Sequence, residues 1–338
     1  MESTTTRRVR FSFSLAALAR LTAGHHAAGH QLLAAANTAV PTLHLTWAQT
    51  IILGVLQGVS ELFPVSSLGH VVLLPSLFGW DSVVKTQSDP ESPWLAFVVM
   101  LHVGSAIGLL IYFWRDWVAI VKAWARTLVR RRVDTPTERL AWLIIVGSIP
   151  AGVLGLVFEH QLRVALAKPE AAALFLMVNG VILLAAERLR QRAEVRALAA
   201  REGAKEDGGR RLETLEYKEA GVIGVAQSTA LIAGISREGV TMTAGLLRGL
   251  DHEDSARFAF LLATPIILAA GVFKLPDLTG PLGNGLRAQA VVAAGATTVT
   301  AYFAVRFLMR WFKTRTLTPF GIYCLIFGAA MAVYVAVK

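Results

Sequence analysis

The sequence predicts an all-α polytopic membrane protein with about six transmembrane helices and two re-entrant helical hairpins, arranged as an inverted-topology repeat. Three observations lead to this fold class. Of 338 residues, 54% are hydrophobic and only 17% charged, with a mean hydropathy of +0.54, whereas a soluble domain is about 25% charged. The apolar residues form continuous runs of helical length, not the alternating segments of roughly ten residues that a barrel needs. Two further apolar regions are interrupted halfway along, and they resemble each other.

In chain order, residues 1–44 come first, with Arg7, Arg8 and Arg10 ahead of an apolar stretch that Arg20 interrupts. That stretch is too short to span, and 1–44 reads as a disordered extension or a start-site artefact preceding a single domain over 45–338. Region 46–79 is broken by Pro, Gly, Ser and charged residues. Spans are predicted over 94–113, 140–158 and 171–186. A mixed-charge connector, 187–218, reads as a solvated loop or frayed helix. Region 219–249 is the second broken segment, followed by spans over 258–275, 288–308 and 319–337. The repeat halves are then 45–186 and 219–338.

The loops set the direction. Arg115, Lys122, Arg126 and Arg130 lie between the first two spans, Arg188, Arg190 and Arg192 follow the third, and Arg310, Lys313 and Arg315 follow the fifth. The opposite loops hold only Lys85, Arg163, Lys168 and Arg287. Basic loops stay cytoplasmic, so the net charge of +10 reads as a topology signal and no nucleic-acid partner is expected. Region 46–79 must start and finish outside, and 219–249 inside. Each is short for two crossings, so each dips in and returns. Broken backbone at membrane depth is tolerated only under protein or water, which brings the two hairpins together inside the bundle.

At an offset of 170, Gly54/Gly224, Val55/Val225, Gln57/Gln227, Ser66/Ser236 and Gly69/Gly239 are identical. One copy enters from each side, as in inverted repeats with a midplane site. In the first hairpin Gln57 and Glu61 share a helix face, Pro64 ends the half-helix, and Ser66 and Ser67 suit the cap of the next, with His70 following. In the second, Gly234 and Gly239 bracket the break, Ser236 caps the returning half-helix, and Arg237 and Thr241 share a face. A charge at mid-bilayer costs roughly 2.5–3.5 kcal/mol on insertion scales, so Glu61, Arg237 and Glu238 are not idle. Two serine-capped helix N-termini, a guanidinium fork and a hydroxyl make an anion site suited to phosphate, although no other anion is excluded.

The remaining polar residues read more plainly. His102 is a hydrogen-bonded packing residue. Asp251, His252, Glu253 and Asp254 form a solvated turn and helix cap, not a metal cluster. Trp94, Trp114 and Trp117 form an interfacial belt. Cys324, the single cysteine, packs in an apolar run and excludes a disulfide framework.

The stretch from Gln57 through Glu61, Pro64, Ser66 and Ser67 to His70 resembles the first signature of bacterial undecaprenyl-diphosphatases of the BacA/UppP type. Ala233-Gly-Ile-Ser236-Arg237-Glu238-Gly239-Val-Thr241 resembles the second. Two departures stand out: Ala233 replaces the usual Pro and Glu238 the usual Ser. An acid there either offsets Arg237 or faces away. The resemblance, over about 45–338, implies a membrane enzyme that removes the terminal phosphate of undecaprenyl diphosphate at the outer face of the bacterial cytoplasmic membrane. It thereby implies recycling of the lipid carrier for peptidoglycan synthesis and a link to bacitracin resistance. It also implies a divalent cation, Mg2+ or Ca2+, with Glu61 as base or metal ligand. Ser67 is the candidate nucleophile, His70 the acid/base partner, and Gln57 a supporting residue that orients Glu61 or a water. Ser66, Ser236, Arg237 and Thr241 are assigned to the phosphate. Partners are the polyprenyl diphosphate and the bilayer, with a homodimer as a candidate assembly. The alternative is a polyprenyl-phosphate flippase or transporter using the same midplane site.

Overall fold

The computed structural model describes residues 43–87, 93–166, 168–200, 210–280 and 283–337. Apart from positions 43 and 44, the extension expected over 1–44 lies outside them. Among the described residues there are twelve α-helices and no strand. They are α1 (Trp47–Leu62), α2 (Ser67–Leu77), α3 (Asp81–Gln87), α4 (Pro93–Tyr112), α5 (Trp114–Arg130), α6 (Pro136–Leu166), α7 (Pro169–Ala200), α8 (Tyr217–Ser228), α9 (Arg237–Leu247), α10 (His252–Thr279), α11 (Arg287–Trp311) and α12 (Thr318–Val337). Six of them, α4, α6, α7, α10, α11 and α12, are long and apolar enough to cross a membrane, and they match the six expected runs. Each starts earlier than its apolar run wherever a polar residue caps it. Asp251, for example, accepts the N–H of Asp254 at 2.7 Å ahead of α10.

Each broken region folds as helix, break, helix. The first is α1 and α2 around Phe63–Ser66. The second is α8, a single 3-10 turn over Thr229–Leu231, and α9. With 16 and 11 residues in α1 and α2 and about 1.5 Å of rise per residue, neither half reaches the ~30 Å of a hydrocarbon core. Thr46 opens α1 with a capping box to Gln49, and Phe63, extended before Pro64, closes it because the residue before proline avoids the helical region.

The helix pairing repeats between the halves: α1 packs on α11, and α8 packs on α6. Matching glycines make both contacts close. A methyl group at Gly54 would sit 2.6 Å from the Ala293 carbonyl oxygen, and one at Gly224 would collide with the Gly147 carbonyl. Thr297 Oγ1 crosses the first contact to donate to Gly54 O at 2.9 Å. Small residues allow backbones this proximity in a bundle without a hydrophobic drive between helices. The same pairing twice, through residues 170 apart, is what two related halves of opposite entry require.

One expectation is narrowed and three are corrected. Of the two readings of 187–218, the helical one holds at its start, because α7 runs on to Ala200; alternating Glu and Arg support a solvated helical turn, as in the Arg190–Glu194 pair at 2.6 Å. The basic loop after α4 is itself a helix, α5. Trp94 is buried against Phe97 and so belongs to no exposed belt; Trp114 does lie exposed beneath the guanidinium of Arg115. His252 is not solvated. Its Nε2 lies 2.6 Å from Glu187 Oε1, which also accepts the N–H of Leu317 at 2.7 Å, so this pair clips α7, α10 and the start of α12 together. Among the described residues no His/Cys/Asp/Glu group is arranged to hold a metal.

Candidate active site at the junction of the two hairpins

The junction is built around Ser66. It adopts φ +66°, a region that non-glycine residues enter rarely and at a cost of about 1–3 kcal/mol. Two consequences follow from that twist. Ser66 Oγ accepts the N–H of Gly69 in its own half-helix and the N–H of Gly234 in the other hairpin, both at 3.2 Å. The Ser66 carbonyl turns toward His70, whose Nδ1 lies 2.7 Å away. Gly234 matches this with φ +104° and no room for a side chain, since a methyl would lie 2.5 Å from the Ala172 carbonyl oxygen. Ser236 caps α9 by accepting the N–H of Gly239 at 3.1 Å. Two helix N-termini therefore open onto one place, with first-turn N–H groups that have no intrahelical acceptor.

Glu61, 2% exposed, is the hub. Its Oε2 accepts Gln57 Nε2 at 3.0 Å and a short hydrogen bond from Ser67 Oγ, and its Oε1 accepts Arg237 Nη2 at 3.0 Å. His102 Nε2 lies 3.3 Å from Oε2. This corrects the reading of His102 as packing alone: its Nδ1 bonds the Val98 carbonyl at 2.8 Å, and the other nitrogen faces the site. A titratable ring inside a span was the signal, but only the packing of α4 beside α1 gives it a partner. Arg237 spends one N–H on Glu61, and its other guanidinium N–H groups meet no acceptor among the described residues.

His70 is at the junction but hydrogen-bonds to neither Ser67 nor Glu61. With Nδ1 donating to Ser66 O, Nε2 is left as the acceptor, and Tyr323 OH lies 2.7 Å from it. His70 also stacks nearly parallel to Tyr323 and Phe327 of α12. Sequence reasoning passed over Tyr323, since a tyrosine in an apolar run carries no distinguishing mark. It passed over Asn179 as well. This fully buried residue of α7 donates Nδ2 to the Pro64 carbonyl at 3.0 Å and accepts the Ser236 N–H on Oδ1 at 3.0 Å, so one amide joins both chain breaks. An amide in the middle of the 171–186 run was the available signal. Cys324 packs beneath it, as expected.

Glu238 faces inward. It is 2% exposed, its charged neighbours are Glu61 and Arg237, and its Oε1 has no hydrogen-bond partner; Thr241 Oγ1 and Gln57 Oε1 are likewise buried without one. Glu61 Oε2 already takes Gln57 and Ser67, whereas Oε1 takes Arg237 alone and keeps a lone pair, so a divalent ion there would share Oε1 with the guanidinium.

Residues 50–330 match the family of the bacitracin resistance protein BacA. The chain belongs to the BacA family. Among its relatives, undecaprenyl-diphosphatase 2 of Frankia alni is 49% identical over 87% of this chain and 99% of its own. Undecaprenyl-diphosphatase of Mycolicibacterium paratuberculosis is 51% identical over 88% and 100%, and undecaprenyl-diphosphatase 2 of Chromobacterium violaceum is 43% identical over 83% and 95%. The match of this BacA-family chain runs from within α1 to within α12 and so takes in the junction of the two hairpins.

Proposed function

We propose that this protein hydrolyses undecaprenyl diphosphate to undecaprenyl phosphate and inorganic phosphate at the outer face of the cytoplasmic membrane, returning the lipid carrier to cell-wall synthesis. The observation that carries the reading is the convergence of Ser67 and Arg237 on Glu61 beside two serine-capped helix N-termini, in a chain whose relatives are named for this hydrolysis.

Phosphoryl transfer asks for an aligned nucleophile and for charge neutralisation. The Ser67 hydroxyl already points its proton at Glu61, the pairing expected of an activated nucleophile and its base. Glu61 takes that proton as Ser67 Oγ bonds the terminal phosphorus. The anhydride P–O bond breaks, its electron pair leaving with undecaprenyl phosphate. Glu61 passes that proton to the departing phosphate, and is a carboxylate again when water attacks the phosphoserine. It then takes the water proton and returns it to Ser67 Oγ as the seryl P–O bond breaks and inorganic phosphate leaves. The free N–H groups of Arg237, the hydroxyls of Ser66, Ser236 and Thr241 and the two helix N-termini hold the phosphate oxygens. Gln57 and His102 keep Glu61 in place. His70, held by Ser66 and Tyr323, shapes the wall of the site on the side of α12. No step is routed through a metal; a divalent ion held at Glu61 Oε1 would supply further neutralisation of the phosphate charge.

The test is phosphate release from a long-chain polyprenyl diphosphate by purified protein in detergent, with and without chelator. Release supports the hydrolase. Movement of polyprenyl phosphate across liposomes with no release would favour the flippase, which the naming of the relatives does not favour.

A further inference from the structure

The helix between the first two spans divides into three sectors. At about 100° per residue, Val118, Val121, Ala125 and Leu128 of α5 fall within about 40° of Trp114. Trp114, Val118, Val121 and Leu128 are between 44% and 56% exposed. Ile120, Ala123 and Thr127 form the buried sector, centred roughly 210° round, where α5 packs on α6. There Thr127 Oγ1 accepts the Trp142 indole N–H at 3.0 Å, and Asp116 pairs with Arg257 of α10. Lys122, Arg126 and Arg130 make a third sector, about 80–160° round, and all three are exposed. Arg126 Nε stands 3.8 Å from Glu138 Oε1; among the described residues Lys122 and Arg130 have no carboxylate partner.

An apolar sector left open in a water-facing loop would be unfavourable, yet it is as wide as the cationic one and wider than the buried one. Both ends of α5 are tied to spans, α4 ending at Tyr112 and α6 starting at Pro136, so the helix is held at the bilayer surface. An apolar face in the acyl chains with a cationic flank at headgroup depth is how interfacial helices lie. We propose that α5 lies in the membrane interface and that Lys122, Arg126 and Arg130 bind the headgroups of anionic phospholipids. Phosphate oxygens there complement three cations that the protein leaves largely uncompensated. The surface is separate from the hydrolytic site and does not depend on its assignment.

The experiment uses the full chain in nanodiscs of phosphatidylcholine with a minor fraction of phosphatidylglycerol, reading by native mass spectrometry which lipid stays bound. Wild type should retain phosphatidylglycerol at least about twofold above its bulk share. Lys122→Gln/Arg126→Gln/Arg130→Gln should lose the excess, while Lys122→Arg/Arg126→Lys/Arg130→Lys keeps it and activity in neutral detergent is unchanged in both. If the triple Gln variant does not insert, Lys122→Gln and Arg130→Gln singly carry the test, each lowering the excess. Undiminished phosphatidylglycerol in the Gln variants would overturn the proposal. So would an equal loss from Arg188→Gln/Arg192→Gln on α7, which would reduce the effect to general basicity.

Discussion

Arg237 Nη2 lies 3.0 Å from Glu61 Oε1 across 176 residues of sequence. The pair joins the two hairpins, and it also sets the charge of the chamber: one carboxylate is compensated, and the rest of the guanidinium is available to a substrate.

Arg237→Ala should reduce turnover by about 10²–10³-fold, the loss typical of removing one donor to developing charge. The variant also strands a buried carboxylate, at a cost of about 3–5 kcal/mol. Arg237→Lys should recover stability better than rate, because an ammonium cannot serve carboxylate and phosphate in the same fork. Phosphate release and thermal melting of the purified variants check both outcomes; wild-type release from Arg237→Ala sinks the assignment.

Ser67→Ala and Glu61→Gln should each remove most activity, and the double variant should be little worse than either, since nucleophile and base act as a unit. A trapped phosphoserine in a rapid-quench experiment would identify the intermediate. Substantial residual turnover in Ser67→Ala, with no trapped species in wild type, would instead mean direct attack by water.

Tyr323→Phe keeps the ring stacked on His70 but removes the hydroxyl from Nε2. Losing a neutral hydrogen bond of about 0.5–1.5 kcal/mol should lower kcat by about 2- to 10-fold with KM nearly unchanged. The decisive comparison is in a His70→Ala background, where the same substitution should have no further effect. An undiminished second loss would show that Tyr323 acts independently of the imidazole.

Asn179→Ala leaves the Ser236 N–H buried without a partner, worth about 1–3 kcal/mol, and leaves the Pro64 carbonyl only the long, weak contact from Cys324 Sγ. Melting temperature and activity should fall together. Asn179→Asp retains the acceptor for Ser236 and should fall between the two.

Glu238→Ser installs the residue the family pattern carries and removes a buried acid whose Oε1 has no donor. Stability should rise by about 1 kcal/mol, and KM for the diphosphate should drop as the carboxyl crowding Arg237 is replaced by a smaller hydroxyl donor. A raised KM would assign the acid a part in binding the substrate.

Much of the site was legible because its logic is local. Gln57 and Glu61 are four residues apart on one helix, so their contact at 3.0 Å follows from helical period alone. Ser66 and Ser236 announced themselves as caps beside Pro64 and Gly234, and both cap as expected. His102, Asn179 and Tyr323 sit in ordinary-looking runs, and which neighbour each one meets depends on how far its helix is turned toward another.

The sequence by itself determined where the chain crosses, where it breaks and which end of each half-helix is positive, because apolar run length, proline, glycine and capping act within a few residues. Tertiary structure alone decided that Glu238 faces inward, that His70 answers to Tyr323 and not to Ser67, and that one asparagine clips both breaks. Those outcomes depend on inter-helix rotation and depth, fixed by backbone contacts such as Gly54 on Ala293 and Gly224 on Gly147. Contacts of that kind couple residues more than a helix length apart, where no sequence period reaches.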